Sequence, residues 1–187
     1  MAPRRSPTRG NSGLTTDWRP TLAPLARLNR SVRPQTTVME ITKANREDIP
    51  ALCELLRLLF TQEAEFQSDL TLQSVGLQQI IDSPEHGQIL VLREGSSLVG
   101  MVNLLFTIST ALGSRVAILE DMVVHADYRG SGAGSKLFQA AIVFGRSVGC
   151  RRITLLTDRT NESAQRFYRR HGFKLSEMVP MRLLLEC

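Results

Sequence analysis

At 187 residues the chain is long enough for one substantial core, read as a single domain with a tail. No apolar run approaches the roughly 18 residues of a membrane-spanning helix, which excludes that class. The net charge of +5 resides in the first 38 residues, where seven arginines face one acid (Asp17); that segment holds +6, leaving −1 for the rest. The remainder is nearly neutral, so its charge gives no reason to expect nucleic acid as a partner. Cys53, Cys150 and Cys187 stand far apart, odd in number and without a C-x-x-C pair, so reduced thiols in a cytoplasmic protein are expected. The three histidines are scattered and no metal-ligand spacing appears, so no metal is expected.

Residues 1–38 are rich in Arg, Pro, Ser and Thr without amphipathic period, a composition that cannot bury enough apolar surface to fold. They are expected to form a disordered basic arm ahead of a domain at 39–187. An organelle address or a nucleic-acid tether is the sharper alternative. Residues 38–42 read as a first strand. Asp48 and Pro50 open a helix, since Pro near the first turn forfeits an N–H that would be unpaired anyway. Its core stripe is Ile49, Leu52, Cys53, Leu56, Leu59 and Phe60, which makes Cys53 a packed thiol rather than a nucleophile.

Residues 61–69 are polar and acidic, with Glu63, Glu65 and Asp69 around Phe66, and read as a solvated connection. A second helix over 71–81 has Leu72, Val75, Leu77, Ile80 and Ile81 as its apolar positions. Strands at 88–93 and 98–109 flank a hairpin at 94–97, and a fourth strand covers 115–124. After a glycine-rich loop, Leu137, Ala141, Phe144 and Val148 line one face of a helix that Gly149 closes. Residues 152–157 form a strand. Asn161 is a good N-cap for the last helix, whose far end carries Arg169, Arg170 and His171, cations suited to its negative pole. A last strand is expected at 181–185. The order β-α-α-β-β-β-α-β-α-β predicts an α/β-type mixed sheet covered by helices.

The loop between the fourth strand and its helix holds Gly130, Gly132 and Gly134. Glycines let the backbone turn sharply and keep side chains away from its N–H groups. The helix aims its unpaired N–H groups and positive dipole end at the same place, which makes an anion site suited to phosphate. Arg129 at its entrance adds a fork of donors. Two common phosphate loops fail here. A P-loop needs G-K-[ST], whereas Ser135 precedes Lys136; a dinucleotide loop needs G-x-G-x-x-G, whereas Ser135 and Leu137 fall at the third-glycine positions.

What remains is Arg129-x-x-Gly132-x-Gly134, which resembles the R/Q-x-x-G-x-G/A signature of the GNAT superfamily of acetyl-CoA-dependent N-acetyltransferases. A Leu-Glu-Asp strand precedes it at that family's distance. Asn161 to Phe173 matches the second signature, N-x-x-A-x-x-F-Y-x-x-x-G-F, and one helix plus one strand separate the two. The resemblance is close over 116–173 and looser from Met39 onward. It implies the acyl-CoA N-acyltransferase fold, a central, mostly antiparallel sheet with helices on both faces. Acetyl-CoA would be the co-substrate, and a small-molecule or peptide amine the acceptor. Many relatives are homodimers, but nothing in the sequence identifies an interface.

An alkyl ammonium with a pKa of about 10.4 must lose a proton before it can attack a thioester, and the leaving thiolate should gain one. Glu120 and Asp121 interrupt an apolar strand, where an unpaired carboxylate is expensive. Neighbouring strand residues face opposite ways, so only one should face the acceptor unless a bulge intervenes. The resemblance favours Glu120 as the base, leaving Asp121 a structural reading. It implies Tyr168 as the acid beside the coenzyme sulfur; on the residues alone Tyr168 would equally be a core aromatic. It further implies that Met122, Val123 and Val124 bind coenzyme through a freed strand edge, as an added strand would. Gly130, Ser131, Gly132, Ala133, Gly134 and Ser135, with Arg129, would hold the diphosphate, and Asn161 the pantetheine arm. Residues 61–69 would border the acceptor pocket. Direct transfer in a ternary complex is expected, because no Cys-His pair has supporting context. A domain that binds acyl-CoA without catalysis is the alternative.

Overall fold

The computed structural model describes residues 38–61 and 69–185. The predicted basic arm, Val38 apart, lies outside them, as do Glu63 and Glu65. The elements are β1 (Met39–Lys43), α1 (Ile49–Phe60), α2 (Leu70–Asp82), β2 (Gly87–Glu94), β3 (Ser97–Ser109), β4 (Ser114–Val124), α3 (Ala133–Ser147), β5 (Ile153–Leu155) and α4 (Glu162–Arg170). The strands make one sheet in chain order. β1 to β4 are antiparallel neighbours, and β5 lies parallel to β4. A parallel return needs a long crossover, which α3 supplies.

Both faces of the sheet are covered. Ile89, Val91, Met101 and Val123 pack with α1 and α2, whereas Leu90, Leu92, Val102, Leu104, Ala117 and Leu119 pack with α3. Alternate residues of β2 therefore enter two cores, which is why it reads as a continuous apolar run. On the second face Phe138 is fully buried, its ring 5.3 to 5.4 Å from those of Phe167, Tyr168 and Phe173. Close packing accounts for Gly145, where a Cβ would lie 3.1 Å from Ile153.

Charged residues fix where the helices begin. Asp48, 8% exposed, accepts from the Asn45 amide at 2.9 Å and from Arg93 Nη2 at 2.8 and 2.7 Å. Asp69 caps α2 by accepting from the amides of Thr71 (2.9 Å) and Leu72 (3.1 Å).

Three expectations are corrected. Residues 181–185 form no strand; Met181, Leu183, Leu184 and Leu185 are exposed, because apolar, strand-favouring residues need a partner edge and none runs beside them among the described residues. The helix after the glycine loop begins at Ala133, four residues earlier than the apolar spacing suggested, and Phe138 joins its buried stripe. In α2 only Leu77 is buried, with Leu72 and Val75 exposed. Among the described residues no helix is long and apolar enough to cross a membrane.

Candidate active site

β4 carries an extra residue. Asn103 of β3 pairs with Glu120 and Met101 with Val123, so two β3 steps face three on β4. This is a β-bulge, and its extra residue is Asp121, whose φ of +49° is a left-handed conformation that Asp tolerates better than most side chains. The bulge overturns strict alternation. Glu120 shares the α1/α2 face with its cross-strand partner Asn103, and Asp121 turns to the same side, accepting from Asn103 Nδ2 at 2.5 Å. Met122 and Val124 then pack toward α3, and Val123 toward α1. Glu120 is exposed and Asp121 half-buried.

β4 and β5 pair only through Ala117–Ile153, Ile118–Thr154 and Leu119–Leu155. From Glu120 to Val124 that side of β4 has no neighbouring strand among the described residues. Such an edge can accept an extended, amide-bearing ligand as a further strand. Tyr168 stands on α4, half-buried, its ring 5.4 Å from Phe138 and 5.5 Å from Phe167. Glu120 and Tyr168 thus belong to opposite faces of the sheet. The gap where β4 and β5 part is the space that both faces border.

The glycine loop lies at the end of this edge. Gly130 has φ +76° and Gly132 +89°, while a Cβ on either would meet nothing within 4 Å. Backbone conformation, not crowding, calls for glycine at both. Ser131 Oγ donates to the Tyr128 carbonyl at 2.6 Å and accepts from the Ala133 amide at 3.4 Å, bracing the turn. Gly132 caps α3 without a side chain, leaving the first-turn N–H groups directed outward. Ala133 is buried, and Ser135 Oγ lies 3.3 Å from His171 Nε2. Arg129 is exposed and donates through Nε to the Val124 carbonyl at 3.1 Å, linking the loop to the unpaired edge. Asn161 spends its side chain capping α4, accepting from the Ala164 amide at 3.0 Å.

Two supports were not singled out from the sequence. Tyr128 donates to Glu94 at 2.5 Å, tying the loop's approach to the β2–β3 hairpin, and that carboxylate raises the phenol's pKa. Lys136 donates to the Met39 carbonyl. The other omission is Asn103, whose signal was a lone amide within the apolar run of β3. It is 2% exposed, and among the described residues its Oδ1 accepts no hydrogen bond, an arrangement that costs about 1–3 kcal/mol. Asn103 and Asp121 line a cavity of about 270 Å³ between the sheet, α1 and α2.

The two-faced sheet, the bulged fourth strand and the glycine turn into α3 define an acyltransferase architecture, and the comparisons name it. The profile of the Acetyltransferase (GNAT) family matches residues 49–173, and the chain belongs to that family. It is an acetyltransferase. Its similarity extends to an uncharacterized N-acetyltransferase of Bacillus subtilis, 30% identical over 139 residues, covering 73% of this chain and 90% of the relative. An aminoalkylphosphonate N-acetyltransferase of Salmonella typhimurium is 28% identical over 152 residues, or 81% of this chain and 94% of that one. A possible acetyltransferase from Clostridium difficile shares the fold with a TM-score of 0.73 at 14% identity, covering 80% of this chain and 99% of that structure.

Proposed function

We propose that the chain, through a domain spanning residues 39–187, transfers the acetyl group of acetyl-CoA to a primary amine by direct attack within a ternary complex. The observation that carries this is the end of β4–β5 pairing at Leu119 and Leu155, which leaves the edge from Glu120 to Val124 open beside the glycine turn. Acetyl-CoA would supply the thioester. The backbone of Met122, Val123 and Val124 pairs with the amides of its pantetheine arm, and Asn161 borders that arm. The N–H groups of 130–135 and the Arg129 guanidinium hold the diphosphate.

Glu120 takes the proton from the ammonium, directly or through water, so that a neutral amine presents its lone pair. Tyr168 gives its phenolic proton to the departing thiolate, and the second proton that the nitrogen sheds on becoming an amide restores the phenol through solvent. The exposure of Glu120 supports this assignment, because a base must pass its proton on to solvent between turnovers. Asp121, bonded to Asn103, holds the bulge that sets Glu120 and Met122 on their respective faces. Incubation of the full chain with acetyl-CoA and a panel of primary amines, following free thiol and product mass, tests the reading. Amine-dependent thiol release with N-acetylated product is expected; acetyl-CoA binding without release under any amine would contradict it.

A further inference from the structure

The last helix reaches the glycine turn through one polar side chain. His171 follows α4 and is half-buried, its ring centroid 4.9 Å from that of Phe138 and 4.7 Å from that of Phe167. Two phenyl rings therefore hold the imidazole in place, and an apolar side chain would fill the same space. What an apolar side chain lacks is the polar edge. His171 Nε2 lies 3.3 Å from Ser135 Oγ, although the two residues stand 36 positions apart in the chain. Ser135 is exposed in the first turn of α3, where the N–H groups are directed outward. A serine hydroxyl has one hydrogen to give. Were it given to His171, Ser135 would present only lone pairs to an anion. With the hydrogen on Nε2, Ser135 Oγ accepts from the imidazole and its own hydrogen is left for a phosphate oxygen. The imidazolium donates from both nitrogens, and the neutral ring can carry its single hydrogen on Nε2, so both forms allow this arrangement.

Resting on the diphosphate site proposed above, we infer that His171 is a positioning residue for the coenzyme and acts through Ser135. Nε2–H donates to Ser135 Oγ, and the Ser135 hydroxyl donates to the diphosphate. The bound anion selects the form of the ring with hydrogen on Nε2, because that form alone leaves the serine hydrogen to the anion. Donors linked in this way polarise one another, which strengthens the bond at the end of the chain. His171 neither gives nor takes a proton in acetyl transfer; it sets the direction of one hydroxyl at the far end of the coenzyme.

Calorimetric titration of acetyl-CoA into the full chain and four variants tests this. Ser135→Ala should bind about tenfold more weakly, the loss of one hydrogen bond to a charged group. His171→Leu keeps apolar contact with Phe138 and Phe167 and should bind about fivefold more weakly, the size of one neutral hydrogen bond. The double variant should be no weaker than Ser135→Ala, because the imidazole acts only through that hydroxyl. His171→Gln, which retains an N–H donor, should recover most of the affinity. A second measurement does not depend on how His171→Leu folds. Nitrogen NMR of the wild type labelled in histidine, with His171 assigned by the signals missing from His171→Gln, should show hydrogen on Nε2 in the acetyl-CoA complex. Wild-type affinity in His171→Leu or in Ser135→Ala, losses that add in the double variant, or a His171→Gln as weak as His171→Leu would overturn the assignment. So would hydrogen on Nδ1 alone in the complex. Each of these leaves acetyl-CoA binding by the wild type standing, whereas a wild type that binds no acetyl-CoA would remove the functional reading itself.

Discussion

Asn103 stands opposite Glu120 in the β3–β4 ladder, yet its amide donates to Asp121, 2.5 Å away. That one-residue offset is the bulge seen from the side chains. It brings two adjacent carboxylates to one face of a strand, and it depends on Asp121 holding a positive φ.

The bulge gives the first prediction. Asp and Asn tolerate the left-handed region, whereas a β-branched residue there is strained by about 1–3 kcal/mol. Urea unfolding should show Asp121→Val destabilised by that amount relative to Asp121→Asn. Equal midpoints for the two variants would mean that the backbone at 121 is not held as described.

The glycine loop gives a contrasting pair. Gly132 is left-handed, and alanine there should cost about 1–2 kcal/mol. Gly134 lies inside α3, where a Cβ would make ordinary contacts with Phe167, Val124 and Met122 at 3.9 to 4.0 Å. Gly134→Ala should therefore be neutral or stabilising by up to about 1 kcal/mol. Denaturation of both variants side by side checks the opposite signs.

Asp48 joins the start of α1 to β2 through its two-oxygen grip on Arg93. Its removal leaves a partly buried cation unpaired. Asp48→Ala should lose about 3 kcal/mol, the lower end of the range for a broken buried pair because Arg93 keeps some contact with water. Asp48→Asn, which retains hydrogen-bonding oxygen, should lose less by the same measurement.

Cys53 should be a spectator. Burial, with Glu54 beside it, pushes its thiol pKa up, so the neutral form dominates further into alkaline pH than for a free cysteine. A thiol-specific reagent should label it slowly in the native protein and quickly in urea, and Cys53→Ala should keep the turnover of wild type. Loss of turnover in a folded Cys53→Ala would bring an acyl-enzyme route back.

The proposed base makes a pH signature. Near neutral pH the acceptor is an ammonium and needs Glu120; approaching its own pKa of about 10.4 it deprotonates unaided. The rate deficit of Glu120→Gln should be largest near neutrality and shrink as pH rises. Tyr168→Phe should lower kcat with the acetyl-CoA KM unchanged. A constant Glu120→Gln deficit across pH would take Glu120 out of proton transfer.

Much of this was legible in the residues because the signals were local. Asn161 reads as an N-cap and is one; Gly149 follows α3 with a φ of +84°; the hairpin turns at Gly95, where φ is +60°. The loop glycines were legible for the same reason, since a short segment carries its own backbone demands. Pairing was not. Whether residues 181–185 join a sheet depends on a partner edge that no local pattern specifies, and the bulge at Asp121 depends on the register of β3 against β4. Asn103 was visible as an anomaly in an apolar strand, but its connection to Asp121 spans 18 residues and needed the ladder. The aromatic packing of Phe138 with Phe167, Tyr168 and Phe173 was hidden likewise, because two helices and a loop meet only in three dimensions.

The coenzyme site behind the glycine turn is the claim on which the rest depends, and calorimetric titration of acetyl-CoA into wild type and Arg129→Ala tests it most directly. One saturable site is expected in the wild type. The variant should bind about tenfold more weakly, equivalent to about 1.4 kcal/mol, as one charge-assisted contact is lost. No saturable heat in the wild type, or identical affinity in the two proteins, would contradict the placement of the diphosphate in this turn.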